Sequence, residues 1–322
     1  MLFFDCQNHC PQFLIKTTNF LKAFLFLTVI LLNSCTPKVL SQNSAPTAIP
    51  TDLSSLEGIG NTKVSPKDNA TMVYVPAGEF LMGSKVGLTD EQPVHRVYLD
   101  AYWVDRTEVT NAIYANCVKS GACRKPGSLV FYNDPAYSNH PVEHVSWRDA
   151  VNYCSWAGRR LLTEAEWEKV AIWDPYHNQQ RIYPWGNTYD CKKGNYDDET
   201  DMDASLMADG SVNCDGYAYS APVGSYPQGA SIYGVLDLGG NVWEWVHDAF
   251  LEADPFNATI KNYYAISPEK NPQGVDPKIT DYRVARGGSY NSTYGFGRSA
   301  YRLWFGLDDA YDGIGVRCGN SQ

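Results

Sequence analysis

A stretch of nine residues, Asp237 to Trp245, constrains the possible folds of this chain more than any other part of it. It reads Asp-Leu-Gly-Gly-Asn-Val-Trp-Glu-Trp, a mixture that fits neither a helical nor a strand period. The adjacent glycines permit a tight turn and a close backbone approach, and the tryptophans supply apolar bulk that fixes the turn in a core. Asp237, Asn241 and Glu244 offer oxygen atoms that suit Ca²⁺, and carbonyl groups of the turn can add more. The alternative is a glycine-rich turn with two core tryptophans and no ion.

The composition is that of a globular protein with many irregular loops. The 322 residues are enough for one large domain or two small ones. Aromatic residues make up 13% and charged residues 19% of the chain, which is not typical of a disordered protein. Frequent Gly and Pro, with few long helical patterns, predict turns and loops. The formal net charge of -10 and the lack of a basic run predict no nucleic-acid partner.

The amino-terminal segment predicts export. An apolar run at residues 23–32 has the length of a signal-peptide core and is short for a membrane span of roughly twenty residues. It is followed by Cys35 in a sequence that resembles the bacterial lipobox, where a lipid is attached to the cysteine. We therefore expect a lipoprotein signal peptide at 1–34, lipidation of Cys35 and a flexible tether at 35–70. This would anchor the exported protein by its lipid to a membrane of the bacterial cell envelope. An ordinary signal peptide or a short uncleaved anchor is the alternative.

Six cysteines follow Cys35, and an even number in an exported chain suggests three disulfides. The short spacing between Cys117 and Cys123 suggests one local loop. A zinc site is the competing interpretation. It is weak because the sequence has no Cys-x-x-Cys pair and its histidines are scattered.

Local patterns predict a few elements. Met72–Ser84 contains two strand-like segments around a turn at Pro76–Gly78, which predicts a hairpin. Capping boxes at Ser146–Asp149 and Thr163–Glu166 predict the starts of two helices. From about residue 188 to 220 the chain is acidic and without period, which is unusual for a compact domain. A bound ion would explain an ordered loop there, and a solvated acidic loop is the alternative.

Eight motifs, in order along residues 71–320, together resemble the formylglycine-generating enzyme (sulfatase-modifying factor) family. They are Val75–Ser84, Glu108–Thr110, His140–Trp147, Arg160–Glu168, Tyr183–Asn187, Gly240–Trp245, Arg286–Ser289 and Gly315–Cys318. The resemblance implies a single α+β domain of complex topology, C-type-lectin-like, with little regular secondary structure.

The best-known members of this family oxidise a cysteine of a sulfatase to formylglycine with molecular oxygen and copper. They use two cysteines in the loop after the Arg-Gly-Gly-Ser motif. Here Ser292 stands where the first would be, and no cysteine lies between Cys214 and Cys318. A hydroxyl is a poor Cu(I) ligand and has no comparable redox chemistry, so copper is not expected. Ser289 and Trp243 match residues that line the family's oxygen pocket.

The resemblance also implies two structural Ca²⁺ sites. One comprises the side chains of Asp237 and Glu244 with the carbonyl groups of Gly240 and Val242. The other comprises the side chains of Asn195 and Asp215 with the carbonyl groups of Tyr196 and Tyr217. The second set would give the acidic loop a function.

The family's matching disulfide implies a bond between Cys154 and Cys318. With that pair assigned, Cys191 and Cys214 are left to pair with each other.

The expected function is binding or scaffolding by a member that has lost the oxidase site. The ligand, a peptide, protein or glycan, would occupy the surface where the family holds its peptide substrate. One alternative is an oxidoreductase of the formylglycine-generating type, or other chemistry on the same scaffold. Another branch of the superfamily uses an iron-bound partner domain with a His-x-x-x-His-x-Glu motif, which does not occur in this sequence. A saccharide-binding lectin is a further alternative, by fold analogy alone.

Overall fold

The computed structural model describes residues 56–197, 214–251 and 262–322. The predicted signal peptide, Cys35 and the first part of the predicted tether lie outside the described residues, as does most of the acidic loop. Among the helices of the described residues, none combines the length and the apolar character needed to cross a bilayer.

Three short α-helices begin where the sequence predicts helix caps. They are α1 Asn111–Lys119, α2 Trp147–Trp156 and α3 Glu164–Ile172. Ser146 Oγ accepts a hydrogen bond from the amide of Asp149, whose Oδ2 accepts one from the amide of Ser146. Thr163 and Glu166 form the same reciprocal pair. Both predicted capping boxes are therefore confirmed.

Thirteen short strands of the described residues form several small sheets. They are β1 Thr62–Val64, β2 Thr71–Val75, β3 Gly78–Met82, β4 His95–Leu99, β5 Tyr102–Asp105, β6 Arg160–Leu161, β7 Trp173–Asp174, β8 Gln179–Gln180, β9 Trp243–Ala249, β10 Tyr282–Arg286, β11 Leu303–Gly306, β12 Ile314–Val316 and β13 Cys318–Ser321. One sheet has the order β1-β2-β5-β13-β6 and another β11-β10-β9-β12, while β3 pairs with β4 and β7 with β8. Only β9 and β12 of these described pairs run parallel.

The predicted hairpin around Pro76–Gly78 is wrong, although both of its strands exist. β2 pairs with β1 and β5, whereas β3 pairs with β4. The buried ammonium of Lys169 donates hydrogen bonds to the carbonyls of Pro76 at 2.9 Å and Gly78 at 3.0 Å. The turn thus connects two different sheets, because distant strands supply the hydrogen bonds of β2 and β3.

The folded domain begins earlier than the predicted boundary at residue 71. Residues from Leu56 onward are described, and β1 pairs with β2. Buried Asp68 accepts a hydrogen bond from Tyr153 Oη at 2.6 Å and is paired with Arg159. The last part of the predicted tether therefore belongs to the domain. Its polar composition concealed this, since its contacts are made with distant residues.

Strand β9 lies between the two parts of the apolar core. Trp243 and Trp245 belong to the part that contains Tyr153, whereas Val246 belongs to the part that contains Trp167. Successive side chains of a strand point to opposite faces, so β9 is buried on both. Its polar residue Glu244, between the tryptophans, must therefore find its partners inside the protein.

The three predicted disulfides are all present in the structure. They are Cys117–Cys123, Cys154–Cys318 and Cys191–Cys214. The second joins α2 to β13. Every cysteine of the described residues is consequently bonded to another cysteine, and the zinc interpretation is wrong for these six.

Candidate functional site

The turn that precedes β9 has the tight geometry predicted from its sequence. Asp237 and Asn241 have positive φ angles of 58° and 69°, and Gly240 has a φ of 88°. A Cβ atom on Gly240 would collide with the backbone of Asn195. Only glycine lets these two segments approach so closely. The turn therefore brings together residues from both predicted calcium sets.

Asn241 links Asn195, of one predicted set, to Glu108, which belongs to neither set. Its backbone N–H donates to the backbone carbonyl of Asn195 at 2.8 Å. Its side-chain Oδ1 accepts from Asn195 Nδ2 at 3.2 Å and from the backbone N–H of Ala221 at 2.8 Å. Its Nδ2 donates to Glu108 Oε1 at 3.0 Å. One side chain thus fixes Asn195 on one side and Glu108 on the other.

The predicted set around Asn195 is assembled. Asn195 is fully buried, and its Oδ1 has no hydrogen-bond partner in the described part of the chain. Asp215 accepts hydrogen bonds from the amide of Tyr196 at 2.9 Å and the amide of Tyr217 at 3.0 Å. All four predicted residues therefore meet. An unpartnered buried amide oxygen beside a carboxylate fits the oxygen-donor preference of Ca²⁺.

The predicted set around Asp237 is only partly suited to an ion. Asp237 is buried, its Oδ2 accepts from the amide of Gly224 at 2.6 Å, and its Oδ1 has no partner among the described residues. Glu244, in contrast, accepts from Arg317 Nη2 at 2.7 Å and Nε at 2.9 Å, and from Trp167 Nε1 at 2.7 Å. Asp237 thus fits a cation, while the Glu244 carboxylate already has a cationic partner.

Glu108 is a buried carboxylate that belongs to neither predicted calcium set. Its Oε2 has no hydrogen-bond partner within the described ranges. Burial and the nearby Asp237 carboxylate raise the pKa of Glu108 well above its usual range, and burial also raises the pKa of Asp237. The sequence feature that could have pointed to Glu108 is its position in the Glu108–Thr110 motif, where a charged residue stands next to residues typical of a protein core. We call Glu108 and Asp237 the acidic pair.

Among the described residues, no three histidine, cysteine, aspartate or glutamate side chains converge as a metal site. Calcium ions here would therefore depend on amide and backbone oxygens for part of their coordination. This is compatible with Ca²⁺, which takes six to eight oxygen ligands including carbonyls and water.

Trp243 and Ser289, which match the family's oxygen pocket, lie together with Ser292, which stands where the first active-site cysteine would be. We call these three residues the hydroxyl pocket. Trp243 Nε1 donates to Ser292 Oγ at 3.1 Å, and the two serine hydroxyl oxygens are 2.9 Å apart. Ser289 also donates to Asn291 Oδ1 at 2.5 Å. In the described residues, neither serine has a carboxylate or imidazole as a hydrogen-bond partner. The pocket therefore lacks the base that would activate a serine nucleophile.

A buried carboxyl group lies beside the hydroxyl pocket. Glu143 Oε2 accepts hydrogen bonds from Tyr290 Oη at 3.1 Å and from the amide of Gly313 at 2.9 Å. Burial raises the pKa of Glu143, and burial followed by the Glu143 charge raises the pKa of Tyr290. In the sequence, Glu143 stands out only as part of the His140–Trp147 motif. Its contacts could not be foreseen, because they come from two distant loops.

Comparison with known proteins identifies the family. Residues 60–321 match the family described as "Sulfatase-modifying factor enzyme 1-like domain". The chain belongs to the sulfatase-modifying factor family. The predicted fold class, a complex α+β domain of the formylglycine-generating-enzyme type with C-type-lectin-like character, is confirmed.

Two relatives and one solved structure illustrate the range of the family. The chain is 33% identical over 304 residues to the formylglycine-generating enzyme of Streptomyces coelicolor, covering 79% of this chain and 90% of that one. It is 32% identical over 267 residues to the hercynine oxygenase of Mycolicibacterium smegmatis, covering 73% of this chain and 57% of that relative. The structure of PvdO from Pseudomonas aeruginosa has a TM-score of 0.62 at 25% identity, covering 82% of this chain and 98% of that one.

The sulfatase-modifying factor domain therefore occurs in relatives whose names state different chemistries. The chain spans little more than half the length of the hercynine oxygenase. Family membership establishes the fold, and the function has to be inferred from the residues at the site.

Proposed function

We propose that this protein is a binding member of the sulfatase-modifying factor family that does not perform copper-dependent oxidation of cysteine. The observation that carries the proposal is the hydroxyl pocket. Ser292, which stands where the family's first active-site cysteine would be, bonds to Trp243 and Ser289. The six cysteines of the described residues are all in disulfides. Cu(I) prefers soft sulfur ligands, so a pocket of hydroxyl groups would not hold it.

The test is an oxidation assay. Purified full-length protein is incubated with Cu(I), oxygen and a sulfatase-type cysteine peptide, and aldehyde product is measured by mass spectrometry. The formylglycine-generating enzyme of Streptomyces coelicolor serves as the positive control. We expect no aldehyde above background. Product at multiple turnovers would refute the proposal and favour the oxidoreductase alternative.

Aromatic side chains next to the hydroxyl pocket support a binding role. The rings of Tyr290 and Tyr219 have centroids 6.2 Å apart, and Phe131 lies 5.3 Å from Tyr219. Tyr219 is 52% exposed. Tyrosine combines an apolar ring with a hydrogen-bonding hydroxyl, which suits it to recognition surfaces. The ligand would be a peptide, a protein or a glycan held across this surface.

A binding screen distinguishes these ligands. Peptide and glycan arrays are probed with the wild type, with Tyr219→Ala and with Tyr176→Ala, whose tyrosine is also 52% exposed but lies between β7 and β8. We expect binding to be weakened by Tyr219→Ala and unchanged by Tyr176→Ala. Equal effects of the two variants would contradict the proposed surface, and a glycan hit would favour the lectin alternative.

We also propose that two structural calcium ions bind near the turn. The unpartnered buried oxygens Asn195 Oδ1 and Asp237 Oδ1 support this. A bound ion would neutralise buried negative charge and tie the acidic loop to β9. We expect a chelator to lower the melting temperature of the full-length protein. An unchanged melt would contradict calcium binding.

The lipid anchor and the location in the bacterial cell envelope remain proposals that rest on the sequence around Cys35. Cys35→Ala should convert the protein from a detergent-requiring form to a soluble or uncleaved form. Unchanged processing and fractionation would favour a plain signal peptide or an uncleaved anchor.

A further inference from the structure

We propose that one surface of the domain, beside the point where the chain enters it, rests on the anionic headgroups of the membrane that holds the lipid of Cys35. The inference rests on the proposed lipid anchor and goes beyond it, since an anchor alone leaves the domain free to turn in any direction. We call this surface the basic aromatic face, and it comprises Lys63, Val64, Lys67, Tyr74, Trp103 and Trp156.

The basic aromatic face includes the open end of one side of the five-stranded sheet. Tyr74 of β2 pairs with Trp103 of β5, and their ring centroids are 5.2 Å apart. Asn320 of β13 continues the row beside Trp103. Cys318, two residues before Asn320, points to the same side of the sheet, and its disulfide joins that end to α2. Helix α2 therefore covers one end of this side, while partly exposed aromatic rings occupy the other.

Two exposed lysines lie over tryptophan rings of this face. Lys63 Nζ is 4.2 Å from the ring centroid of Trp103, and Lys67 Nζ is 5.2 Å from that of Trp156. Both are cation–π arrangements on partly exposed rings. A groove lined by both lysines, Val64 and Trp156 connects the two pairs, and Val64 is 61% exposed. Apolar surface and two positive charges are thus presented together.

This combination of residue types suits the surface of a bilayer. Tryptophan is enriched at the level of the lipid headgroups. Lysine lays its apolar stem along apolar surface and keeps its ammonium group in the polar layer, where anionic lipids attract it. Interfaces between proteins are also enriched in tryptophan, but they are depleted in lysine. The pairing of both lysines with tryptophans therefore favours a membrane over a protein partner.

The chain enters the domain along the same face. Gly58 lies so close to Tyr74 that a Cβ atom on it would be 2.7 Å from the ring. The carbonyl of Asn61 accepts a hydrogen bond from the N–H of Tyr74 at 3.0 Å. Residues 36–55 separate Cys35 from Leu56, the first described residue, and a segment of that length spans at most about 70 Å. A lipid on Cys35 would thus keep this face near the bilayer, where even a weak contact is populated.

The charge of the protein makes this contact weak and dependent on orientation. The formal net charge of -10 repels an anionic bilayer as a whole. Charges are largely screened beyond about 8 Å at physiological ionic strength, so the residues nearest the lipid decide. Glu57 and Asp100 line a groove beside the face, and Asp100 Oδ1 lies 3.8 Å from Lys270 Nζ. The contact should therefore depend on both lysines and weaken in salt.

The experiment compares two exposed valines in the lipidated full-length protein. An environment-sensitive fluorophore is attached to Val64→Cys, and the protein is placed in vesicles of phosphatidylcholine and phosphatidylglycerol that contain brominated lipid as a quencher. Val86→Cys is the matched control, because Val86 is 72% exposed and lies between β3 and β4. We expect the lipid to quench the label at position 64 at least about threefold more than the label at position 86. Equal quenching would overturn the proposal.

Charge reversal tests whether the lysines hold this face on the lipid. Lys63→Glu combined with Lys67→Glu should reduce quenching at position 64 to the level at position 86, as should high salt or vesicles of phosphatidylcholine alone. Lys85→Glu combined with Lys278→Glu reverses two exposed lysines of other loops and should leave quenching unchanged. All four side chains are exposed, so the melting temperature should stay the same. Equal loss of quenching in the two double variants would contradict a specific face.

Mass spectrometry of the mature protein separates failure of the anchor from failure of the face. A lipidated protein whose label at position 64 is not quenched refutes this inference and leaves the anchor intact. An unlipidated protein refutes the anchor, and the same label is then read after vesicles are added to the protein in solution, where absence of quenching refutes the face as well. A blue shift at position 64 without vesicles that grows with protein concentration would show that a second copy covers the face, which would also overturn the proposal.

Discussion

The hydroxyl pocket and the acidic pair each take one residue from the stretch Asp237–Trp245: Trp243 belongs to the pocket and Asp237 to the pair. Their polar atoms nevertheless differ in how fully they are hydrogen-bonded. In the hydroxyl pocket Ser292 and Ser289 bond to each other, to Trp243 and to Asn291. In the acidic pair, each carboxylate has one oxygen without a partner among the described residues. The first region contains neutral groups that bond to one another, and the second contains two buried acidic groups that burial makes harder to ionise.

This difference shows which part of a family site can be lost without harm to the fold. Replacing a thiol by a hydroxyl in the pocket leaves neutral groups that satisfy one another at modest net free energy. Two buried carboxylates can satisfy one another only if one of them is protonated, because an ionised carboxylate accepts hydrogen bonds and donates none. On the proposed function, the thiols of the oxidase site can be replaced at little cost to the fold, whereas the buried carboxylates near the turn still need a proton or a counter-charge. Three predictions address this comparison, from the largest expected effect to the smallest.

Arg317→Met should cause the largest loss of stability. The variant leaves the buried Glu244 carboxylate unpaired beside the acidic pair, and breaking a buried ion pair on one side costs about 3–5 kcal/mol. Denaturant unfolding measures the loss. Arg148→Met is the control. Arg148 Nε lies 2.8 Å from Asp308 Oδ1, but both side chains are exposed, so this substitution should cost at most about 1 kcal/mol of stability. Similar losses of unfolding free energy in the two variants would mean that the Arg317 charge near the turn contributes no more to stability than an exposed ion pair does.

Removing the Cys191–Cys214 disulfide should weaken both the fold and calcium binding. The bond closes a loop with a sequence separation of 23, and a disulfide typically contributes about 2–4 kcal/mol. It also brackets Asn195 and Asp215, so its loss should lower calcium affinity by reducing preorganisation. Double Cys→Ser variants are compared by melting and calorimetry.

The Cys117–Cys123 bond provides the control for that experiment. Its removal should lower the melting temperature without changing calcium affinity, because neither cysteine is near a predicted ligand in the sequence. Calcium affinity that is equally sensitive to both bonds would contradict a specific link between Cys191–Cys214 and the ion.

The smallest effect concerns Glu143, the buried carboxyl group beside the hydroxyl pocket. Burial raises its pKa above the ordinary value of 4.5, so above that pH the folded state keeps a proton that the unfolded state has lost. Stability from this group is therefore highest in acid and declines as pH rises through the raised pKa. Glu143→Gln should remove that decline, as measured by unfolding free energies across the pH range.

Calcium should leave the Glu143 contribution unchanged, since Glu143 belongs to neither predicted calcium set and its Oε2 is held by Tyr290 Oη and the amide of Gly313 beside the hydroxyl pocket. A decline that disappears on adding calcium would place Glu143 in the same ion-dependent system as the acidic pair. The comparison between the two regions would then no longer hold.

Short-range patterns in the sequence were sufficient for several parts of the structure. The capping boxes at Ser146 and Thr163 form as predicted, because their hydrogen bonds join residues three positions apart. The tight turn at Gly240 also followed from local composition. The family resemblance, carried by motifs along the chain, supplied the fold class, the Cys154–Cys318 pair and the residues of the hydroxyl pocket.

The errors and omissions concern long-range contacts. The strands around Pro76 pair with different sheets, and the polar segment before residue 71 adds a strand and buries Asp68. Nothing in the local sequence distinguishes these outcomes from a hairpin and a tether. Both depend on where distant strands lie.

The sequence by itself determined where helices begin, where the chain turns tightly and that the thiols of the oxidase site are absent. These depend on the identity of one residue or on contacts within one turn of chain. Only the tertiary structure decided that Asn241 holds Glu108, 133 residues away, and that Arg317 occupies Glu244, 73 residues away. Several buried acidic side chains compete for one guanidinium, and position alone decides which is neutralised. The carboxylates left over are therefore visible only once the chain has folded.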